Sequence, residues 1–238
     1  ILIVNQDASY QFTPTASDSV GDTLSFSISN KPTWATFNTA TGMLSGIPLN
    51  QDVGVTNGIV ISVSDGALSA SLPAFNLTVT NVNDAPTISS MAMTAATQDA
   101  AYSYIFAAAD TDVGDVLTLS AITKPSWLSF NAATGVLSGT PTNADVGSHP
   151  VTLRVTDADG LTADQSFMVI VTNVNDAPVI SSPAITTATQ DIAYSYTVIA
   201  TDLDVGAVLT LSVVTKPSWL SFNSVTGLLS GTPSNADV

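Results

Sequence analysis

Short runs in which apolar and polar residues alternate follow one another along the chain, with turn residues between them. Alternation brings every second side chain to the same face, as in a strand that packs one face on a core. No stretch carries the apolar period of a helix. In segment 87–178 the pattern predicts seven strands: Ile88–Met93, Tyr102–Ala107, Val116–Ile122, Leu128–Asn131, Val136–Ser138, Val151–Thr156 and Ser166–Thr172. Short strands separated by turns predict an all-β sandwich.

The same strand pattern recurs along the chain. Tyr10, Tyr102 and Tyr194 are each 92 residues apart, and residues 87–146 and 179–238 are identical at 43 of 60 positions. Copies of about 90 residues are close in size to a seven-strand sandwich. We therefore predict three domains. These are residues 1–86, clipped at the N-terminal side, residues 87–178, complete, and residues 179–238, without counterparts of the last two strands.

A hexapeptide closes each of the first two predicted domains. Its sequence is Asn-Val-Asn-Asp-Ala-Pro, at residues 81–86 and again at 173–178. An alternating apolar run leads into each copy, and the final proline has no N–H to donate to a sheet. This arrangement is typical of the last strand of a domain followed by a linker. We interpret both copies as interdomain linkers.

The negative charge of the chain argues against some classes of binding partner. All 19 acidic residues are Asp, only four residues are Lys or Arg, and the net charge is −15. This balance argues against nucleic acid and anionic membranes as partners, because both attract basic surfaces. No apolar run is long enough to insert into a bilayer. Without cysteine, with the isolated His149 and with no nucleophile motif, the sequence predicts that the chain is not an enzyme.

The aspartates recur at corresponding turns of the copies. Those of the middle copy and its linker are Asp99, Asp110, Asp112, Asp145, Asp157 and Asp176. An Asp-x-Asp in an extended loop directs both carboxylates to one side, where they can share a cation. Six to eight hard oxygen ligands suit Ca²⁺, whereas zinc prefers His and Cys. The alternative is that the aspartates cap turns and face solvent. Their recurrence as a set favours calcium.

The order of the motifs in each repeat resembles that of a known family. Lys-Pro-Ser-Trp-Leu-Ser-Phe-Asn starts at Lys124, Thr-Gly-Val-Leu-Ser-Gly-Thr-Pro starts at Thr134, and the Asp-Gly loop and the linker hexapeptide follow. In this order they resemble bacterial cadherin-like repeats, namely the dystroglycan-type cadherin-like and Ig-like repeats of large surface or secreted proteins. The resemblance covers essentially the whole chain. It implies tandem Greek-key β-sandwiches in an elongated array.

The resemblance also implies calcium at both junctions. In cadherin-type junctions the ligands come from the near end of one domain, the linker and loops of the next domain. At the first junction the implied ligands are Asp7, Asp52, Asn81, Asn83, Asp84, Asp110, Asp112 and Asp157. At the second they are Asp99, Asp145, Asn173, Asn175, Asp176, Asp202 and Asp204. Asn81 and Asn173 stand where cadherins usually have Asp, and the third copy has no counterpart of Asp157. We therefore expect fewer or weaker ions and an incomplete second junction.

The function implied is that of a calcium-rigidified extracellular stalk or adhesin segment of a larger bacterial surface or secreted protein. Its partners would be other domains of the same long chain. The alternative is a calcium-dependent module that binds polysaccharide or associates with identical chains. Polysaccharide binding would need exposed aromatic rings, for which Tyr102, Tyr104, Tyr194 and Tyr196 are the candidates.

Overall fold

The computed structural model describes residues 2–19 and 21–238. In this part of the chain the regular structure is β-strand, apart from short 3₁₀ turns at Asn50–Asp52, Asn143–Asp145 and Asn235–Asp237. The all-β prediction is confirmed. No helix among the described residues combines the length and apolar character needed to cross a membrane.

Residues 2–80 form two sheets around a shared core. The strands are β1 (Ile3–Asn5), β2 (Tyr10–Phe12), β3 (Ser25–Ser29), β4 (Ala35–Phe37), β5 (Leu44–Gly46), β6 (Gly54–Ser64), β7 (Ser69–Ser71) and β8 (Phe75–Thr80). One sheet has the order β1-β8-β6-β3, with β7 also paired to β6, and the other has the order β2-β5-β4. Val4 and Leu77 of the first sheet pack in one buried cluster with Tyr10 and Leu44 of the second. This segment is the predicted sandwich.

Residues 87–172 have a closely related arrangement. The strands are β9 (Thr87–Ile88), β10 (Ala95–Thr97), β11 (Tyr102–Ile105), β12 (Ala108–Ala109), β13 (Thr118–Thr123), β14 (Leu128–Asn131), β15 (Val136–Gly139), β16 (Gly147–Thr156) and β17 (Thr162–Thr172). The sheet orders are β10-β17-β16-β13, β11-β15-β14 and β9-β12. Each predicted strand after the first coincides or overlaps with a strand of the structure.

The first predicted strand, Ile88–Met93, is wrong as a single element. β9 ends at Ile88 and pairs antiparallel with β12, whereas β10 begins at Ala95 and pairs parallel with β17. The chain changes sheets between these two strands, and Met91 there is 91% exposed. Alternation of residue types does not reveal where the chain leaves a sheet, so the sequence pattern extended β9 through residues 89–93, which form no strand.

Residues 179–238 contain fewer strands. They are β18 (Val179–Ile180), β19 (Tyr194–Thr197), β20 (Ala200–Thr201), β21 (Leu220–Asn223) and β22 (Leu228–Gly231). β18 pairs with β20, and a sheet has the order β19-β22-β21. Residues 208–214 correspond to the region of β13 but form no strand. In segment 87–172 the sheet partner of β13 is β16, and no strand described in segment 179–238 corresponds to it.

By its internal contacts the chain divides into two compact units. One contains Ile1–Ser90, Ala107–Ser120 and Arg154–Gln165, and the other contains Met91–Phe106, Ala121–Leu153 and Ser166–Val238. The domain boundaries predicted from the sequence stay a prediction. Each set of junction contacts described below lies within a single unit.

A tyrosine and a tryptophan pack edge to face at the same place in every repeat. The pairs, with ring-centroid distances, are Tyr10–Trp34 at 5.9 Å, Tyr102–Trp127 at 5.8 Å and Tyr194–Trp219 at 5.8 Å. The tryptophan backbone also lies against a glycine of the neighbouring strand. A Cβ built on Gly139 would lie 2.1 Å from the carbonyl oxygen of Trp127. No residue other than glycine fits there without movement of the backbone.

We predict that Gly139→Ala destabilises the sheet of β11, β14 and β15. Overpacking of this kind costs about 1–3 kcal/mol, because the added methyl meets backbone atoms that cannot rotate away. Hydrogen exchange of the amides in β14 and β15 should become about fivefold to a hundredfold faster. The control is Val225→Ala at a side chain that is 91% exposed. Equal exchange rates in Gly139→Ala and in the unchanged chain would refute the close approach of Gly139 to the Trp127 carbonyl oxygen.

Candidate metal centre

Two turns of the first unit carry the carboxylates of the candidate site. The loop Asp110–Asp115 connects β12 to β13, and Asp157 follows directly after β16. Within the loop the Asp112 amide donates to Asp110 Oδ1 at 2.8 Å, and the Asp115 amide donates to the Asp112 carbonyl at 3.2 Å. Gly114 has a φ of +88°, a backbone conformation that glycine adopts without steric strain. The loop can therefore turn back, with an aspartate at each end.

Three carboxylates meet at this place. One carboxylate oxygen from each of Asp110, Asp115 and Asp157 lies within 4.8 Å of the other two. Asp157 is only 5% exposed, and the Oδ2 atoms of Asp110 and Asp115 are buried without a hydrogen-bond partner. Calcium binds oxygen ligands at about 2.3–2.6 Å, so two of its ligands can be up to about 5 Å apart. The spacing and the all-oxygen donor set fit a calcium ion.

Without a cation these carboxylates repel one another. Two unit charges 4 Å apart repel by about 4 kcal/mol at an effective dielectric constant of 20. Backbone donors reach only some of the oxygens. Asp115 Oδ1 accepts from the amides of Val116 at 2.6 Å and Ala158 at 3.2 Å. The buried Oδ2 atoms are left for another positively charged partner, and a hard cation would satisfy both.

A second group of carboxylates in the same unit is satisfied by side-chain amides. Asp84 Oδ2 of the linker accepts hydrogen bonds from Gln6 Nε2 at 3.0 Å and Asn50 Nδ2 at 3.2 Å. Thr111 Oγ1 donates to the same oxygen at 3.3 Å. Asp112 accepts from Asn50 Nδ2 at 3.0 Å and from the Asp84 amide at 2.8 Å. These bonds join the linker to the loop that carries Asp110 and Asp115.

Asp157 is held in its charged form by hydrogen bonds. Burial raises its pKa, but hydrogen bonds from the Asn83 side chain and from the backbone amides of its own turn outweigh that effect and keep the pKa below the usual value. Asn83 Nδ2 lies 2.9 Å from Asp157 Oδ2, and the amides of Gly160 and Leu161 lie 2.6 and 2.7 Å from Oδ1. An ionised carboxylate is the form that a metal ion requires.

The second unit repeats the amide-bonded group. Asp176 Oδ2 accepts from Gln98 Nε2 at 3.1 Å and Asn143 Nδ2 at 3.2 Å. The Asp176 amide donates to Asp204 Oδ2 at 2.8 Å. The three-carboxylate cluster is not repeated, because Ala207 occupies the position of Asp115 and no described residue corresponds to Asp157.

Three further sequence-predicted ligands are not members of this cluster. Asp7 and Asp99 both have a φ of +59°. Their Oδ2 atoms accept hydrogen bonds from the preceding glutamines, Gln6 at 3.5 Å and Gln98 at 3.2 Å. Asp202 Oδ1 accepts from the Asp204 amide at 2.9 Å. Among the residues that the structure describes, these three aspartates form no second cluster.

Two further predicted ligands bind their own 3₁₀ turns. Asp52 Oδ2 accepts from the Leu49 amide at 2.9 Å, and Asp145 Oδ2 accepts from the Thr142 amide at 2.8 Å. Asn81, Asn173 and Asn175 are exposed linker residues. Each of these predicted ligands therefore stays a hypothesis that the contacts do not strengthen.

Sequence reasoning missed five side chains that shape these sites. They are Asp115, Gln6, Gln98, Asn50 and Asn143. For the glutamines and asparagines, the spacing in the sequence carried a signal. Gln precedes Asp at the start of every repeat, and an Asn lies two residues before the aspartate that closes each 3₁₀ turn. The search for metal ligands passed over the amides that donate hydrogen bonds to these carboxylates.

Comparison with known proteins gives one family and a set of similar folds. The family model described as "Putative Ig domain" matches residues 2–80, 85–172 and 177–238. Among solved structures, human CDH23 EC21-23 is 19% identical with a TM-score of 0.59, covering 96% of this chain and 91% of that chain. The protocadherin gammaB4 extracellular domain is 20% identical with a TM-score of 0.51, covering 100% of this chain and 45% of that chain.

A third similar structure is the protocadherin gammaB7 EC3-6 cis-dimer. It is 22% identical with a TM-score of 0.51, covering 93% of this chain and 62% of that chain. The chain thus spans less than two thirds of either protocadherin structure. At these identities the likeness shows a tandem cadherin-like, Ig-like β-sandwich fold and nothing finer. No curated protein sequence matches the chain.

We predict that Asn83→Ala raises the pKa of Asp157 toward its ordinary value, because it removes a side-chain N–H that stabilises the charged carboxylate. With a folded-state pKa below the unfolded value, this bond stabilises the fold above the unfolded pKa and is lost as the pH falls through the folded pKa. The measurement is an NMR titration of the Asp157 carboxyl carbon in chelator.

Asn81→Ala is the matched control, since Asn81 is an exposed asparagine of the same hexapeptide. It should leave the Asp157 titration midpoint unchanged. A midpoint that is the same in Asn83→Ala as in the unchanged chain would contradict the assigned bond.

Proposed function

Since the chain belongs to the Putative Ig domain family, we propose that it is a segment of tandem β-sandwich repeats whose first junction is ordered by calcium. The observation that carries this proposal is the cluster of Asp110, Asp115 and Asp157. It combines three closely spaced carboxylates with two buried oxygens that have no hydrogen-bond partner. Calcium is the common biological cation that prefers such a set of hard oxygen ligands.

A cation in this cluster would act on the linker through the contacts around it. Asp110 and Asp115 belong to one loop and Asp157 to another turn, so a shared ion ties the two together. The loop holds the linker through the Asp112–Asp84 bond, and the turn holds it through the Asp157–Asn83 bond. Once both are fixed, the backbone of the linker has little freedom left.

The calcium affinity expected for such a site is suited to ordering a flexible junction. Extracellular calcium modules bind at about 10⁻⁴–10⁻³ M. At a calcium concentration ten times the dissociation constant, one ion stabilises the bound state by about 1.4 kcal/mol. That is enough to shift a flexible junction to a mostly ordered one. It is small compared with the stability of a sandwich core, so the repeats would fold without the ion.

The biological role in this proposal is an extracellular stalk or adhesin segment of a larger bacterial surface or secreted protein. Fold likeness to extracellular cadherin domains supports an extracellular setting. The partners would be other domains of the same long chain. The segment itself would be structural and not catalytic. Self-association with identical chains is compatible with the cis-dimer of the protocadherin gammaB7 structure, but no contact within this chain favours it.

Polysaccharide binding finds less support. It needs exposed aromatic rings, and the rings of Tyr102 and Tyr104 are buried at 4% and 5% exposure. Tyr104 packs edge to face on Phe167 with ring centroids 5.8 Å apart. Tyr194 and Tyr196 are half-buried and use their hydroxyls in bonds to Ile185 and Ser182. We do not propose this function.

Calcium titration of the whole chain by calorimetry tests the proposal. We predict binding at about 10⁻⁴–10⁻³ M, weakened at least about tenfold in Asp115→Asn. Asparagine keeps the Oδ1 acceptor for the two backbone amides but removes the charge that attracts the ion. A tenfold loss corresponds to about 1.4 kcal/mol.

Asp159→Asn is the matched control, because it removes one exposed carboxylate from the turn that begins at Asp157. Its affinity should equal that of the unchanged chain. Absence of calcium binding in the unchanged chain, or equal affinity in Asp115→Asn, would overturn the proposal.

A further inference from the structure

The second junction keeps the main linker contacts of the first, although it has no counterpart of the three-carboxylate cluster among the described residues. The Asp176 amide lies 2.8 Å from Asp204 Oδ2, the same distance as between the Asp84 amide and Asp112 Oδ2. Ala207 occupies the position of Asp115, so this loop lacks one of the carboxylates of the cluster. Among the described residues, linker 173–178 is therefore held by contacts that include no three-carboxylate site.

Two side-chain amides converge on the linker aspartate. Gln98 Nε2 and Asn143 Nδ2 both donate to Asp176 Oδ2, at 3.1 and 3.2 Å. Asn143 Nδ2 also lies 3.4 Å from Asp204 Oδ1. A carboxamide nitrogen carries two hydrogens, so Asn143 can bridge the two carboxylates. Asp176 and Asp204 thus share the NH₂ group of Asn143 where like charges would otherwise face each other.

The strands hold Gln98 in the position that this contact requires. β10 pairs in parallel with β17, which leads into the linker, and the Gln98 amide donates to the Thr172 carbonyl at 3.0 Å. Gln98 is 3% exposed, and its Oε1 accepts from the Val174 amide at 3.2 Å. Both ends of the carboxamide are therefore used, one on the linker backbone and one on the linker carboxylate.

Asn143 is positioned by its 3₁₀ turn. The Asp145 amide donates to the Thr142 carbonyl, and Asp145 Oδ2 accepts from the Thr142 amide. This closed turn presents Asn143 to the linker. In this turn the Asp145 carboxylate fixes the residue that reaches Asp176.

We infer that Gln98 and Asn143 form an amide clasp that closes the second junction without a cation. Charge-assisted hydrogen bonds from N–H donors are among the stronger polar contacts. They supply to Asp176 and Asp204 the positive partner that a metal ion would supply elsewhere. Glutamine, and not glutamate, is essential in this role, since a carboxylate at residue 98 would have no N–H to donate and would add a repelling charge.

The clasp does not rest on the calcium proposed for the first junction. Gln6 and Asn50 make the corresponding contacts to Asp84 there, beside the cluster of Asp110, Asp115 and Asp157. The first junction thus combines a clasp with a candidate cation site, whereas the second has the clasp alone. Either proposal, the clasp or the calcium site, can therefore be refuted without the other.

The test is Gln98→Glu in the whole chain, read by NMR as solvent exchange of the Asp176 backbone amide. In the unchanged chain we expect equally slow exchange in chelator and in millimolar calcium. In Gln98→Glu we expect exchange in chelator to be at least about tenfold faster. Calcium should then slow it, because the introduced carboxylate joins those of Asp99, Asp176 and Asp204. A purely steric defect would not respond to calcium.

Gln190→Glu is the matched control. Gln190 belongs to the corresponding Gln-Asp dipeptide of the third repeat and, within the part of the chain that the structure describes, donates to Asp191 Oδ2 alone, at 3.0 Å. It should leave the Asp176 exchange unchanged. Asn143→Ala provides a second, uncharged variant that removes the bridge and should also give at least about tenfold faster exchange. Unchanged exchange of Leu153 and Val169 amides in the core shows that the variants fold.

Three results would overturn the inference. One is an Asp176 amide in the unchanged chain that exchanges faster in chelator than in calcium, which would mean that a cation holds the linker. Another is equal exchange in Gln98→Glu and the unchanged chain. The third is faster exchange in Gln98→Glu that calcium does not slow. Failure of calcium binding at the first junction alone would overturn the proposed function and leave the clasp standing.

Discussion

A carboxylate taken out of water needs N–H donors or a cation as its partner, and this constraint governs both places where one repeat leads into the next. The linker aspartates meet it with amides: Asp84 accepts from Gln6 and Asn50, and Asp176 from Gln98 and Asn143. At the first junction this group stands beside a cluster in which the Oδ2 atoms of Asp110 and Asp115 are buried without a hydrogen-bond partner. The two junctions therefore differ in chemistry, although the repeats share one sandwich fold.

The amide clasp and the cation site respond differently to the calcium concentration. An amide clasp is built into the fold and is present whenever the repeat is folded. A cation site is filled only in proportion to the free ion, so its contribution rises and falls with calcium concentration. If the two proposals hold, the junction with Asp115 responds to calcium, whereas the one with Ala207 in an otherwise closely similar loop does not. In a chain of such repeats, single substitutions of this kind would decide which hinges calcium can stiffen.

The sequence predicted the fold well because its signals are local. Strands such as Leu128–Asn131 follow from alternation between turns, and the repeat follows from identical motifs. The acidic site was predicted only in part. Carboxylate recurrence pointed to Asp110 and Asp157, but Asp115 lies outside the Asp-x-Asp motif and its role depends on how the loop turns back. Gln98 reaches Asp176 across 78 positions of sequence, through a parallel strand pairing that no local pattern reveals.

Hydrogen exchange of linker 81–86 and loop 110–115, measured by mass spectrometry in millimolar calcium and in chelator, tests the central claim most directly. The account predicts that calcium slows exchange in both segments together, because one ion joins the loop to the turn at Asp157 and both hold the linker. Identical exchange in the two conditions would contradict it. The cluster of Asp110, Asp115 and Asp157 would then be a set of turn aspartates that bind no calcium.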